Sequence, residues 1–236
     1  MVAAQSTVRT GESRILAGAN WYPLMNHKAD TPVRLALFDP NGGARWEETV
    51  RPINWGAQSR LLYLRWIHSR RDAVDKLSNG RLGYAHIRGM NDGAYREVFD
   101  EVFGRDVDKD AILVDTRFNG GGNLVETLTS FLSGKSYATN APRGQKIGTE
   151  PSQRWSKPSV VIMNQGNYSD AHCFPMAYTQ LGLGETVGMP VPGTCSSVWW
   201  ERLQIRDLVF GIPMVALIDM QGDVMENKQL DPTYLV

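Results

Sequence analysis

Apolar and polar positions change rhythm along the chain near Gly80. Before it, VRLALF and ARWEETV alternate in twos on either side of Pro40-Asn41-Gly42-Gly43, which predicts a β-hairpin. Leu61, Leu64, Trp66, Ile67, Val74 and Leu77 then recur at helical spacing among Arg and Asp, and the pattern stops at Asn79-Gly80, so a helix is predicted over 61–78. After Gly80, apolar runs alternate with amphipathic ones. GYAHIR, AILVDTRF and SVVIMNQ read as strands, and AYREVFDEVF, GNLVETLTSFLSG and AHCFPMAYTQLG as helices. The expected class is α/β: a layered core over 57–236, preceded by a small β-rich unit at 13–56 and a linker or tail at 1–12. In such cores, ligands sit where strands end and helices begin.

Composition narrows the function classes. The chain has 236 residues, 42% of them apolar, which supplies a core without stapling. Lys plus Arg and Asp plus Glu both number 25, so no net field collects nucleic acid or an anionic membrane, and neither is expected as a partner. No apolar run reaches the ~18 residues of a membrane span, and the opening residues lack a secretory apolar segment. A soluble protein of the cytoplasm is expected. Cys173 and Cys195 are too few and too far apart for a zinc or redox motif; whether they bond to each other is left open. No cofactor or metal motif is present.

Two turns carry the candidate chemistry. Asp115-Thr116-Arg117-Phe118-Asn119-Gly120-Gly121-Gly122-Asn123 closes a strand and opens a helix, and three glycines leave backbone N–H groups open to a phosphate or an oxyanion. Its plain alternative is a tight turn needing positive φ, and its spacing fits neither dinucleotide nor P-loop patterns. Asn164-Gln165-Gly166-Asn167-Tyr168-Ser169-Asp170 follows the next strand, and Ser169 is either an exposed nucleophile or a helix N-cap. Acyl transfer needs both parts, a nucleophile and an oxyanion hole from separate backbone segments.

These turns, with Tyr84 to Met90, Leu181 to Gly188, and Met225-Glu226-Asn227 followed by Asp231-Pro232, resemble the tricorn-type branch of the C-terminal-processing serine peptidases from about Leu61 onward. The resemblance implies a ClpP/crotonase-like layered core preceded by part of a PDZ module. It implies Ser169 as nucleophile, and a hole built from the amide of Asp170 and that of Gly122 or Gly121. Glu226 matches the carboxylate of a Ser-His-Ser-Glu relay. A peptide substrate and a homo-oligomer are the partners it implies. It also implies an upstream His-bearing domain, expected before Met1.

Two departures are visible. Where the processing branch carries a lysine base, this chain reads Val191-Pro192-Gly193-Thr194-Cys195. The acidic residue that favours basic substrates in archaeal relatives falls at Asn140, a candidate substrate-binding position whose amide recognises Lys or Arg poorly. His172 lies three residues beyond Ser169, on one helix face with it, and is weighed as a substitute base. His86 reads as a core or subsite residue, and His27 and His68 as exposed. At least one of Trp199 and Trp200 is expected to pack inward. Asp115 reads as structural, in an ion pair with Arg117 or a turn hydrogen bond, and not as a metal ligand. The alternative to an enzyme is a non-catalytic peptide-binding or assembly fragment.

Overall fold

A computed structural model describes residues 20–39 and 41–236 in full and, before residue 20, the backbone of 7–10 and 13–15. Pro40 of the hairpin turn and the rest of 1–12 lie outside the described residues. Two compact units are present, Met1–Ile67 and His68–Val236.

In the first unit, β1 (Thr7–Thr10), β2 (Ser13–Ile15), β3 (Val33–Phe38) and β4 (Arg45–Val50) form an antiparallel sheet in the order β2-β1-β3-β4. The predicted hairpin is β3 and β4, in register from Val33↔Val50 to Phe38↔Arg45. Strand β1 falls within the span read as a linker. Helix α1 (Trp55–Leu77) starts earlier than the Leu61 of the apolar spacing. It ends as expected: Asn79 and Gly80 adopt positive φ, and the Gly80 N–H closes onto the Asp75 carbonyl.

The second unit continues with β5 (Leu82–His86), α2 (Asp92–Phe103), β6 (Ala111–Asp115), α3 (Val125–Leu132), β7 (Ala138–Asn140), β8 (Gly148–Glu150), β9 (Ser159–Met163), α4 (Asp170–Gln180), β10 (Glu185–Gly188), β11 (Ser196–Arg202), β12 (Val209–Ala216) and β13 (Tyr234–Leu235). A five-stranded sheet runs β13-β10-β9-β6-β5, every neighbouring pair parallel. Helix α2 buries Ala94, Val98 and Val102, which recur every fourth residue, and Asn91 caps it by accepting the Ala94 N–H. Val98 and Val102 join Leu128 and Phe131 of α3 and Val114 and Val161 of the sheet in one core. Helix α4 buries Ala171, His172, Phe174, Pro175, Met176 and Tyr178, more than one face, as a central helix does.

Two hairpins were not legible in the apolar rhythm, β7–β8 and β11–β12. Trp199 and Trp200 on β11 are 61% and 70% exposed, so neither packs inward as expected: among the described residues β12 is the sole strand paired with β11, and this ribbon lies outside both core clusters. Among the described residues, no helix is long and apolar enough to cross a membrane.

Cys173 on α4 and Cys195 are joined in a disulfide with Cα atoms 5.4 Å apart. Cys195, Met176 and Met225 make a second small core against Cys173 and Leu230. The bond closes a loop of 22 residues, which in the chain-entropy account is worth about 3 kcal/mol and roughly 6–12 °C in Tm. Calorimetry with and without reductant is expected to show a drop of that size; an unmoved transition would contradict it.

Candidate active site

Parallel pairing brings the two candidate turns together. Strands β6 and β9 are adjacent, with Asp115 opposite Ile162, so the segments leaving their C-terminal ends emerge side by side on one sheet edge. Ser169 occupies the N-cap position of α4, yet its side chain makes no capping hydrogen bond. Its backbone stands at φ 55°, ψ −126°, a conformation costing a non-glycine residue roughly 1–3 kcal/mol. The side chain is half-buried, neither sealed in the core nor free in solvent.

The glycine turn is shaped to meet that serine. At Gly121, φ is +93°, and a Cβ would stand 2.7 Å from Ser169 Cβ and 2.6 Å from the Tyr168 carbonyl. At Gly122, φ is +149°, and a Cβ would lie 1.9 Å from the Met90 carbonyl oxygen. Accounting for the donors separates the two glycines. The Gly121 N–H donates to Asn119 Oδ1 at 2.9 Å, and the Asn123 N–H donates to the Met90 carbonyl at 2.7 Å. The N–H groups of Gly122 and Asp170 have no acceptor among the described residues. Of the two glycines that sequence leaves open, Gly122 is therefore the one with a donor to offer.

Asparagines fasten the two turns together. Asn164 Oδ1 accepts the N–H groups of Phe118 at 3.1 Å and Gly166 at 3.0 Å, one from each turn. The Tyr168 N–H donates to the Asn119 carbonyl, and Asn119 Nδ2 donates to the Ile87 carbonyl. Asn167, fully buried, accepts the Asn164 N–H and donates to Thr116 Oγ1 at 2.8 Å and the Ala171 carbonyl at 3.1 Å. That last bond has a covalent cause. Pro175 sits four residues after Ala171 inside α4 and has no N–H to give its carbonyl, and Asn167 supplies the missing donor. Replacing Asn167 with alanine strands the Asn164 N–H and the Ala171 carbonyl and takes a donor from Thr116 Oγ1, which keeps its bond to the Ile162 carbonyl, and is expected to cost roughly 3 kcal/mol in a denaturant titration. A loss under about 0.5 kcal/mol would contradict this bracing role.

Asp170 Oδ2 accepts the Leu124 N–H at 2.6 Å, tying the Ser169 turn to the start of α3. Burial pushes the Asp170 carboxyl up, against the pull of the Leu124 and Val125 N–H groups. Asp115 is fully buried and structural, as expected: Arg117 pairs with it at 2.6 Å and the Tyr84 hydroxyl donates to it at 2.7 Å. Burial, then the Asp115 charge, pushes the Tyr84 hydroxyl strongly up, so it stays protonated as that donor.

Glu226 follows Met225 of the second core. Its chain segment runs beside 191–193, where Val191 and Leu230 exchange backbone hydrogen bonds and the Asn227 N–H donates to the Gly193 carbonyl. Among the described residues, Glu226 Oε2 is buried without a hydrogen-bond partner. His172 is fully buried, with Nδ1 accepting the Thr194 N–H at 3.0 Å. Its acceptor nitrogen is thus engaged, which removes the substitute-base reading. His86 is buried on β5, and burial lowers its imidazole against the opposing Asp115 charge. His27 and His68 are exposed. Asn140 is exposed on β7, its amide donating to Glu150 Oε1 at 2.9 Å. Among the described residues, no three His, Cys, Asp or Glu side chains gather in a metal-holding group.

A strained serine at a strand-to-helix corner, facing a glycine turn with a free amide, defines a chain built like an α/β serine hydrolase. The model of peptidase family S41 matches residues 81–236, and the chain belongs to that family. It is 28% identical over 218 residues to the tricorn protease of Thermoplasma acidophilum, covering 92% of this chain and 20% of that protein. It is 32% identical over 179 residues to the tricorn protease homolog of Saccharolobus solfataricus, covering 75% of this chain and 16% of that protein. The chain thus spans about a fifth of the length of these relatives. A crystal structure of the tricorn protease superposes with a TM-score of 0.81 at 24% identity, over 98% of this chain and 22% of that one, which shows the fold.

Proposed function

We propose that this chain is the catalytic core of a tricorn-like serine endopeptidase that cleaves oligopeptides through an acyl-enzyme. The observation that carries the reading is the Ser169 corner, strained and uncapped, set against Gly121 with the Gly122 and Asp170 N–H groups unclaimed. Ser169 Oγ attacks the scissile carbonyl, the two amides receive the oxyanion, and water then releases the acyl group. Family membership and the similarity to tricorn proteases support a peptidase. The general base comes from outside these 236 residues, because His172 has its acceptor nitrogen engaged and no lysine lies within 191–195. Glu226 orients that incoming base.

Asn140 lines the substrate side in this reading, residues 13–56 are part of a PDZ-like module, and the working form is a homo-oligomer. The cytoplasm is the proposed compartment; the Cys173–Cys195 bond weighs against it, since disulfides persist mainly in oxidising surroundings, and thiol trapping in intact cells decides.

Turnover of fluorogenic oligopeptides tests the function. Hydrolysis by the full-length protein, and by this chain once the upstream region is added back, is the expected result. Binding without hydrolysis in either form would leave a peptide-binding fragment instead.

A further inference from the structure

We propose that His172 is a positioning residue, a neutral imidazole protonated at Nε2 that couples Glu226 to the nucleophile corner through Thr194. The proposal rests on the reading of Ser169 as nucleophile, and it gives Glu226 a second task inside the chain.

The connection is continuous. The Ser169 N–H donates to Thr194 Oγ1 at 3.0 Å, and the Thr194 N–H donates to His172 Nδ1 at 3.0 Å. A nitrogen that accepts an N–H carries no proton, so the single proton of the neutral ring is on Nε2. That Nε2 is buried and has no hydrogen-bond partner among the described residues, in a residue with no exposed surface. The other unpartnered buried atom in this neighbourhood is Glu226 Oε2. One is a donor and the other a carboxylate acceptor. Buried polar atoms are almost always paired, and these two are not in direct hydrogen-bond contact, so they complete each other across one water.

The local fold fixes all three members. The Cys173–Cys195 bond joins the residue after His172 to the residue after Thr194. Met225, beside Glu226, packs with Cys195 and Met176. A Cβ on Gly193 would lie 2.1 Å from the Lys228 backbone nitrogen, so the two segments approach to backbone contact. Burial lowers the His172 imidazole and the Glu226 charge opposes this, in keeping with a neutral ring facing a carboxylate. The consequence is mechanical. The Ser169 N–H is held by Thr194, and Thr194 is held in turn by a ring whose orientation depends on Glu226.

Two measurements test this. Nitrogen-15 spectroscopy of the imidazoles in this chain, with the His172 signals assigned by their loss in His172→Asn, is expected to show Nδ1 bare and Nε2 protonated at neutral pH. Glu226→Gln is expected to shift those signals. A proton on Nδ1, a doubly protonated ring, or signals indifferent to Glu226→Gln would overturn the proposal. In the full-length protein, labelling of Ser169 by a fluorophosphonate is expected to fall at least tenfold in His172→Leu. It is expected to recover to within about threefold of wild type in His172→Asn, whose Oδ1 replaces the Nδ1 acceptor. Equal loss in both variants would also overturn it. If wild type itself is never labelled, the peptidase reading fails, while the spectroscopic arm still decides the role of His172 in the fold.

Discussion

Ser169→Ala in the full-length protein is expected to lower peptide turnover by roughly 10^6-fold, the scale seen when a triad serine is removed. Fluorophosphonate labelling should vanish with it. Stability should not follow, because the Ser169 side chain makes no capping bond to α4 whose loss would weaken the helix. Ser169→Gly sharpens the separation. Glycine relieves the cost of φ 55°, ψ −126°, so this variant is expected to be more stable than wild type by about 1 kcal/mol while equally inactive. A serine serving only the fold would behave in the opposite way. Turnover within tenfold of wild type in Ser169→Ala, or labelling equal to wild type, would reject the assignment.

Gly121→Ala is expected to lower turnover by roughly 100- to 1000-fold, about the effect of removing one oxyanion donor. Its Cβ would press on Ser169 Cβ at 2.7 Å, on the Tyr168 carbonyl at 2.6 Å and on the Asp170 nitrogen at 3.1 Å. None of these is the flexible end of a long side chain, so the two turns must part. Because the transition state gains more from the amides than the ground state does, the loss should fall on kcat with KM changed little. Gly120→Ala is the control: a Cβ there meets nothing within 4 Å and φ is not in the left-handed region. Matching losses in both variants would show that the turn tolerates no change, and the contact with Ser169 would lose its special standing.

The layered α/β core was legible because strands β5, β6 and β9 are five-residue segments, mostly apolar and largely buried, with amphipathic helices between them. Hairpin β11–β12 was not, since its apolar side chains stay exposed and their pattern therefore carries no information about an interior. The site divides in a similar way. Ser169 and the glycines could be singled out because each lies at a strand-to-helix corner, although an N-cap and a tight turn ask for the same residue types. Asn119, Asn164 and Asn167 stand beside them and read only as turn formers, because an asparagine next to glycine looks the same whether its amide faces solvent or bridges to another strand. Residue spacing could not choose between Gly121 and Gly122; the choice follows from the Asn119 side chain claiming one of the two donors. The pairing of Thr194 with His172 spans 22 residues and depends on the chain path between them.

The most direct test of the central claim is a crystal structure of the full-length protein acylated by a slowly hydrolysed peptide ester. The acyl group is expected on Ser169 Oγ, with its carbonyl oxygen roughly 2.7–3.1 Å from the backbone nitrogens of both Gly122 and Asp170. An acyl oxygen pointing to solvent, or held by donors elsewhere, would contradict the account.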